Sequence, residues 1–213
     1  MRYRTIPVTP FEQNCSIVWC EVTKECAFID PGGDIHKLQK VVEQEGLKPV
    51  AVWLTHGHLD HVGGTSPLAQ HYQIPVIGPH EADKYWLDAL PKQSQMFGFP
   101  HHDAFVPTQW LQHGDTLTLG EQTFEVRHIP GHTPGHVVLL HRGQQIVFAG
   151  DILFAGSIGR TDFPGGNHQQ LLDAIAQQLL TLDDPVVVVP GHGPNTTIGE
   201  ERCHNPYVRH LKA

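Results

Sequence analysis

Residues 55–61 read Thr-His-Gly-His-Leu-Asp-His. In an extended segment, side chains two apart project to the same side, so His56 and His58 can hold one cation together. Asp60 and His61 then turn into a following helix and face a second position. Imidazole nitrogen and carboxylate oxygen without thiolate suit zinc, and also iron or manganese. The His-x-His-x-Asp-His pattern is specific; the alternative is a helix start capped by Asp60 among incidental histidines. Three sites downstream argue otherwise: His132 in the turn 130–136 (Pro-Gly-His-Thr-Pro-Gly-His), Asp151 after Phe148-Ala149-Gly150, and His192 between Gly191 and Gly193. Each alone reads as an ordinary turn residue, whereas the ordered set reads as a set of metal ligands. The chain's seventeen histidines are dispersed, which is unlike a tag.

Such ligands need a rigid frame. Residues 50–54 and 185–189 are apolar without alternation, the pattern of strands buried on both faces. Residues 17–19, 26–29, 75–78, 123–129, 136–140 and 145–149 read as further strands. Asp34 is expected to cap a helix with Ile35, Leu38, Val41 and Val42 at helical spacing and Gly46 past its end. A second helix is expected from about 62 to 72. A third is expected behind Asn167, with Leu171, Leu172, Ile175, Ala176, Leu179 and Leu180 on one face. Residues 80–112, with three prolines, read as a surface excursion over the core. The ligands fall just past strand ends: His56 after 54, His132 after 129, Asp151 after 149 and His192 after 189. There a sheet can aim several side chains at one point.

Composition narrows the classes. A length of 213 residues suits one domain over 1–213 with a core needing no staples. The formal charge is -8 and no Lys/Arg cluster stands out, so no nucleic-acid partner is expected. No run of 18 apolar residues exists to span a membrane, and no apolar stretch of signal-peptide length follows Met1. Cys15, Cys20, Cys26 and Cys203 form no CxxC pair and are expected to be reduced packing residues. A cytoplasmic protein is the expectation. Oligomeric state is not written in the sequence.

Taken in this order, the four motifs resemble those of the metallo-β-lactamase superfamily, and the likeness covers nearly the whole chain. It implies an α/β fold, a four-layer αββα sandwich with the metal site at one edge of the two sheets. It also implies the division of ligands: His56, His58 and His132 on a first metal, Asp60, His61 and His192 on a second, and Asp151 bridging. Within the superfamily the chain resembles the glyoxalase II (hydroxyacylglutathione hydrolase) group, particularly its short bacterial members. A bridging aspartate, rather than a cysteine on the second metal, departs from the zinc β-lactamases. The implied reaction is hydrolysis of a small-molecule glutathione thioester, such as S-D-lactoylglutathione, to glutathione and a hydroxy acid. The implied cofactors are two divalent metal ions, zinc foremost. Cations roughly 3.5 Å apart can share a water and lower its pKa towards ~7, which gives a metal-bridging hydroxide at neutral pH. Asp60 and Asp151 are the catalytic candidates, Asp60 because it can orient the hydroxide while holding a metal.

Arg160 occupies the position where glyoxalase II enzymes carry a basic residue that meets glutathione. It can fork onto a substrate carboxylate or pair with Asp162. Departures from that family are Asp162 and Pro194 at its tyrosine positions, and the end at Ala213, without the family's C-terminal helical region. Residues 159–163 also resemble persulfide dioxygenases. That likeness implies one iron on His132, Asp151 and either His56 or His58, with Asp60, His61 and His192 free of metal. A metal-binding module without turnover is the third reading. Residues 190–194 look more like the thioester hydrolases, so hydrolysis is the reading taken. Asp30 is expected to brace a loop near the site and His136 to support it, while His101 and His102 are candidates for the rim of its entrance.

Overall fold

The computed structural model of the protein describes residues 1–211. The chain runs through β1 (Arg2–Val8), β2 (Gln13–Trp19), β3 (Glu25–Ile29), α1 (Ile35–Glu45) and β4 (Lys48–Trp53). It continues through α2 (Leu59–Val62) and α3 (Thr65–Tyr72) to the short β5 (Val76–Ile77). The five strands form one sheet in the order β1-β2-β3-β4-β5, antiparallel as far as β3 and parallel beyond it. Next come α4 (Lys84–Asp88), α5 (Leu90–Phe97), β6 (Thr116–Leu119), β7 (Gln122–His128), β8 (Val137–His141) and β9 (Ile146–Gly150). A small hairpin, β10 (Leu153–Phe154) and β11 (Ser157–Ile158), leads to α6 (His168–Gln178), β12 (Val187–Pro190), β13 (Thr196–Thr197) and α7 (Ile198–His204). The second sheet has the order β13-β12-β9-β8-β7-β6, with β12 and β9 its parallel pair.

Two-faced burial explains the non-alternating strands. Successive residues of a strand point to opposite faces. Val18, Ala27 and Trp53 of the first sheet therefore meet Phe124, Leu139, Phe148 and Val189 of the second between the sheets. Their neighbours Ile17, Phe28 and Val52 face the other way, against Leu38, Val42, Leu68, Leu87 and Leu90 of the helices. On the far side of the second sheet, Val138, Leu140, Val147 and Val188 pack on Leu171, Leu172 and Ile175 of α6 and Ile198 of α7. The layers are helix, sheet, sheet, helix, as the sequence resemblance implied. No helix of the described residues is long and apolar enough to cross a membrane.

Several local expectations change. The helix expected over 62–72 is two pieces, α2 and α3, broken at Gly63 and Gly64. A Cβ on Gly64 would lie 2.7 Å from the Pro31 carbonyl oxygen, and its own N–H donates to that oxygen at 2.8 Å, so the chain bends onto the 31–33 loop. Asp34 does not cap α1. It adopts a left-handed conformation, and its carboxylate accepts from the Thr9 N–H and Lys37 Nζ instead. The segment 80–112 is not merely a surface cover, because Asp83, Trp86, Leu87, Leu90, Gln93, Ser94 and Leu111 are buried. Asn167 does cap α6, accepting from the Gln170 N–H at 3.0 Å, and Gly46 ends α1 in a left-handed conformation. Loss of an N-cap acceptor typically costs about 1 kcal/mol. Asn167→Ala is accordingly expected to lower unfolding free energy by about that amount in urea melts, with the denaturant slope unchanged.

Candidate metal centre

The parallel pairs decide where the ligands meet. β3 and β4 run together in one sheet, β9 and β12 in the other, and β7 points the same way as β9 because two antiparallel pairings separate them. The C-terminal ends of β3, β4, β7, β9 and β12 therefore open on one edge. Asp30, His56, His132, Asp151 and His192 follow those ends, and α2 adds Asp60 and His61. All seven sequence-predicted ligands converge there.

They fall into two groups. Ligand atoms of His56, His58 and His132 lie within 4.8 Å of one another, as do those of Asp60, His61 and His192. Asp151 stands between them, Oδ1 3.3 Å from His61 Nε2 and Oδ2 3.7 Å from His132 Nε2 and 3.8 Å from His192 Nε2. His192 Nε2 is 3.1 Å from Asp60 Oδ2, and His132 Nε2 is 3.0 Å from His58 Nδ1.

Hydrogen bonds behind the rings fix which nitrogen faces the centre. Thr55 Oγ1 donates to Asp30 Oδ2 at 2.6 Å, so it can only accept from His56 Nδ1–H at 3.0 Å, which leaves His56 Nε2 bare. Asp30 Oδ2 also accepts from His61 Nδ1–H at 2.9 Å, and the Arg160 carbonyl accepts from His132 Nδ1–H at 2.7 Å. Each ring thus turns its Nε2 inward, the second-layer arrangement that orients metal-binding histidines. His136 contributes differently: its Nε2 accepts from the Asp151 N–H at 3.0 Å, and its ring stacks on His56 at 4.6 Å. Asp30 braces, as expected, and it does so directly on a ligand.

Charge divides the two groups. Burial, reinforced by neighbouring rings, drives His56 far below the usual histidine value and brings His58 down to about 3, and burial likewise lowers His132. Burial also disfavours charge on His61 and His192. For His61, Asp151 and Asp60 outweigh that burial and raise its pKa; for His192, its own hydrogen bond to Asp60 and the charge of Asp151 do so. Asp60 and Asp151 are correspondingly held below the usual carboxylate range, Asp151 far below, because His61 overcomes the cost of burying them.

The donor set fits metal ions. His56 Nε2, His61 Nε2 and Asp151 Oδ1 are buried with no hydrogen-bond partner, and buried polar atoms normally have one. Gly191 keeps the space clear, since a Cβ there would lie 2.3 Å from Asp151 Oδ1 and 2.6 Å from His61 Cε1.

Other supporting residues gave no sequence signal. Asp83 Oδ2 accepts from the Gly57 N–H and the Thr133 hydroxyl, both at 2.8 Å, and Oδ1 from the Gly135 N–H. It thereby ties the loop of His56 and His58 to the loop of His132. Burial still lifts its pKa to about 6 against those donors. Gln93 Oε1 accepts from the Leu59 N–H, while its Nε2 donates to the Gly57 and Trp86 carbonyls. Both come from the 80–112 segment expected to be a surface excursion, where a lone Asp or Gln among helix formers looks like a surface residue. His101 is exposed beside Asp103 and does not reach the ligand-lined cavity, nor does His102. Arg160 does line that cavity, with its guanidinium forked onto Asp162 at 2.9 and 2.7 Å and lying 4.5 Å over Phe163.

Two predictions follow from the charge pattern and its bracing. Protons compete with metal at His61 and His192, whose pKa values are raised, and not at the first trio, whose values are depressed. Acidification from pH 8 to pH 5 should release the metal of the Asp60–His61–His192 group first, so metal per chain after equilibrium dialysis passes through a plateau near one. Simultaneous loss of both would contradict the division. Asp30→Asn presents an amide donor to a site that already has three donors, and metal affinity measured by chelator competition should fall about 10- to 100-fold.

Comparison with known proteins places these observations. A family model described as the metallo-beta-lactamase superfamily matches residues 8–192. The chain is 45% identical over 209 residues to hydroxyacylglutathione hydrolase GloC of Haemophilus influenzae, covering 98% of each. The crystal structure of BLEG-1 B3 metallo-beta-lactamase is similar at TM-score 0.90 and 39% identity, covering 97% of this chain and 99% of that one. That of TTHA1623 in a di-iron-bound form is similar at TM-score 0.87 and 35% identity, covering 96% and 100%.

Proposed function

The chain belongs to the metallo-β-lactamase superfamily and is a hydrolytic metalloenzyme, and from that premise we propose that it hydrolyses glutathione thioesters of the S-D-lactoylglutathione kind. The observation that carries this reading is the completeness of the second ligand group beside the first. Asp60, His61 and His192 close to within 4.8 Å with Asp151 shared. A one-iron oxygenase needs only two histidines and a carboxylate, and would leave that group without a purpose. The similarity to GloC supports the thioester as substrate. Zinc is the proposed metal, with iron the alternative that the similar di-iron-bound protein raises.

His56, His58 and His132 would hold one metal and Asp60, His61 and His192 the other, with Asp151 placed to serve both. When bound, two such cations lower the pKa of water towards ~7 and polarise a carbonyl. Asp60 lines the cavity beside the other ligands, where its carboxylate can accept a proton from attacking water. His136 and Asp30 keep Asp151 and His61 from turning as charge shifts. A thiolate leaves readily, so no separate general acid is required. Arg160 meets a substrate carboxylate at the mouth by exchanging it for Asp162, since a planar guanidinium offers the same fork to either. With four free cysteines, three of them buried, a cytoplasmic setting is proposed.

Metal-loaded protein mixed with S-D-lactoylglutathione should lose the thioester absorbance, and His58→Ala should abolish the loss together with about one metal per chain. Absence of hydrolysis by protein carrying two metals, with turnover of a penicillin or oxygen uptake on glutathione persulfide instead, would overturn the assignment.

A further inference from the structure

The cavity above the metal ligands has a volume of about 520 Å³, the size of a small-ligand site. Its walls are not what a highly charged substrate would need. Seven large apolar side chains are exposed among the described residues, and four of them, Phe11, Tyr85, Met96 and Phe97, line this one cavity. Apolar side chains left in water at random would be scattered, and a cluster of them marks a binding surface. The wall continues inward to the ligands: Trp86 and Phe163 stand edge-on to His58 at 4.5 and 4.9 Å.

Cations are few. Apart from the ligands, the charged side chains on the lining are Lys92 and Arg160. Arg160 is already forked onto Asp162, and Lys92 has no acidic partner among the described residues. Glutathione carries two carboxylates, for which the lining offers only Lys92 and, in exchange for Asp162, Arg160 at the mouth, while most of the wall offers no polar partner. A lactoyl group, with two carbons and a hydroxyl beyond the carbonyl, leaves the wall unfilled.

Resting on the thioesterase reading above, we propose that the preferred substrates of this site are thioesters whose non-reacting part is a hydrocarbon, aromatic or of medium chain length. Met96, Phe97, Phe11 and Trp86 form the surface that selects them. Selection is by burial of hydrocarbon, which is worth about fourfold in binding per methylene. The chemistry of the step is unchanged: water adds to the carbonyl, the carbon–sulfur bond breaks, and carboxylate and thiol are released. The hydrocarbon can belong to the acyl group or to the thiol, and two substrate series separate these sources.

One series carries acetyl, butyryl, hexanoyl and phenylbutyryl groups on N-acetylcysteamine, and the other carries acetyl on thiols of rising chain length. In metal-loaded protein, kcat/KM should rise about fourfold per methylene in one series until the wall is filled, and exceed the value for S-D-lactoylglutathione. The double variant Met96→Ser/Phe97→Ser, whose altered side chains are exposed, should flatten the rise, so that kcat/KM no longer grows along the series relative to the acetyl substrate. A parallel calorimetric titration with acetate, butyrate, hexanoate and phenylbutyrate, with and without metal, reads the same surface without turnover. Flat series in both hydrolysis and binding, or a slope that survives in the double variant, overturns the inference even where lactoylglutathione is hydrolysed. A binding slope lost in the double variant, in protein that hydrolyses no thioester, upholds the surface and overturns the thioesterase reading instead.

Discussion

One buried carboxylate organises the centre. Asp30, at the end of β3, takes the Thr55 N–H on one oxygen and the Thr55 hydroxyl and His61 ring N–H on the other. Through Thr55 it sets His56, and through its own bond it sets His61, so one residue orients a ligand in each metal group. It does so from a left-handed backbone conformation at φ 51°, a strained state that persists only where the surrounding structure over-determines it. The three donors supply that determination, and they also offset the cost of removing a carboxylate from water. Reciprocally, His56 and His61 turn Nε2 inward because Asp30 holds their outer nitrogens, the first through Thr55 and the second directly.

The rest of the fold serves to bring that edge together. Each sheet contains parallel neighbours, β3 with β4 in one and β9 with β12 in the other, so strand ends from both sheets empty onto the same side. Trp53 and Phe124, in edge contact at 5.0 Å between the sheets, hold the two halves in register beneath the ligands. The segment 80–112 then clamps the ligand loops from outside through Asp83 and Gln93 and carries the apolar wall on its outer surface. Bracing and substrate recognition thus come from the same helices, which ties the shape of the cavity to the placement of His56 and His58.

The converging set of histidines and aspartates was legible in the sequence because such residue types are costly to bury without a purpose, and because strand ends are visible as the end of an apolar run. The strands around it were legible for the same reason, to within one or two residues at most ends. Asp83 was not, since nothing in Glu81-Ala82-Asp83-Lys84 distinguishes a buried clamp from a surface acid. The break between α2 and α3 was hidden because Gly63 and Gly64 are demanded by the distant loop at 31–33, not by local preference. Short strands such as β6, β10, β11 and β13, and the helix α7, depend on pairing or packing with segments remote in sequence, and their own residues carry little periodic signal. The fork of Arg160 on Asp162 was visible as an alternative, but its choice depends on the turn that brings the two together.

The central claim is that two groups of ligands act as one centre through Asp151. X-ray absorption on metal-loaded protein, with metal counted per chain, tests it most directly. The account predicts two metals per chain and a metal–metal distance of roughly 3.5–4 Å, reduced to one metal without that distance in His192→Ala. A single metal bound by His56, His58 and His132 in the unaltered protein, with no second scatterer near it, would contradict the account.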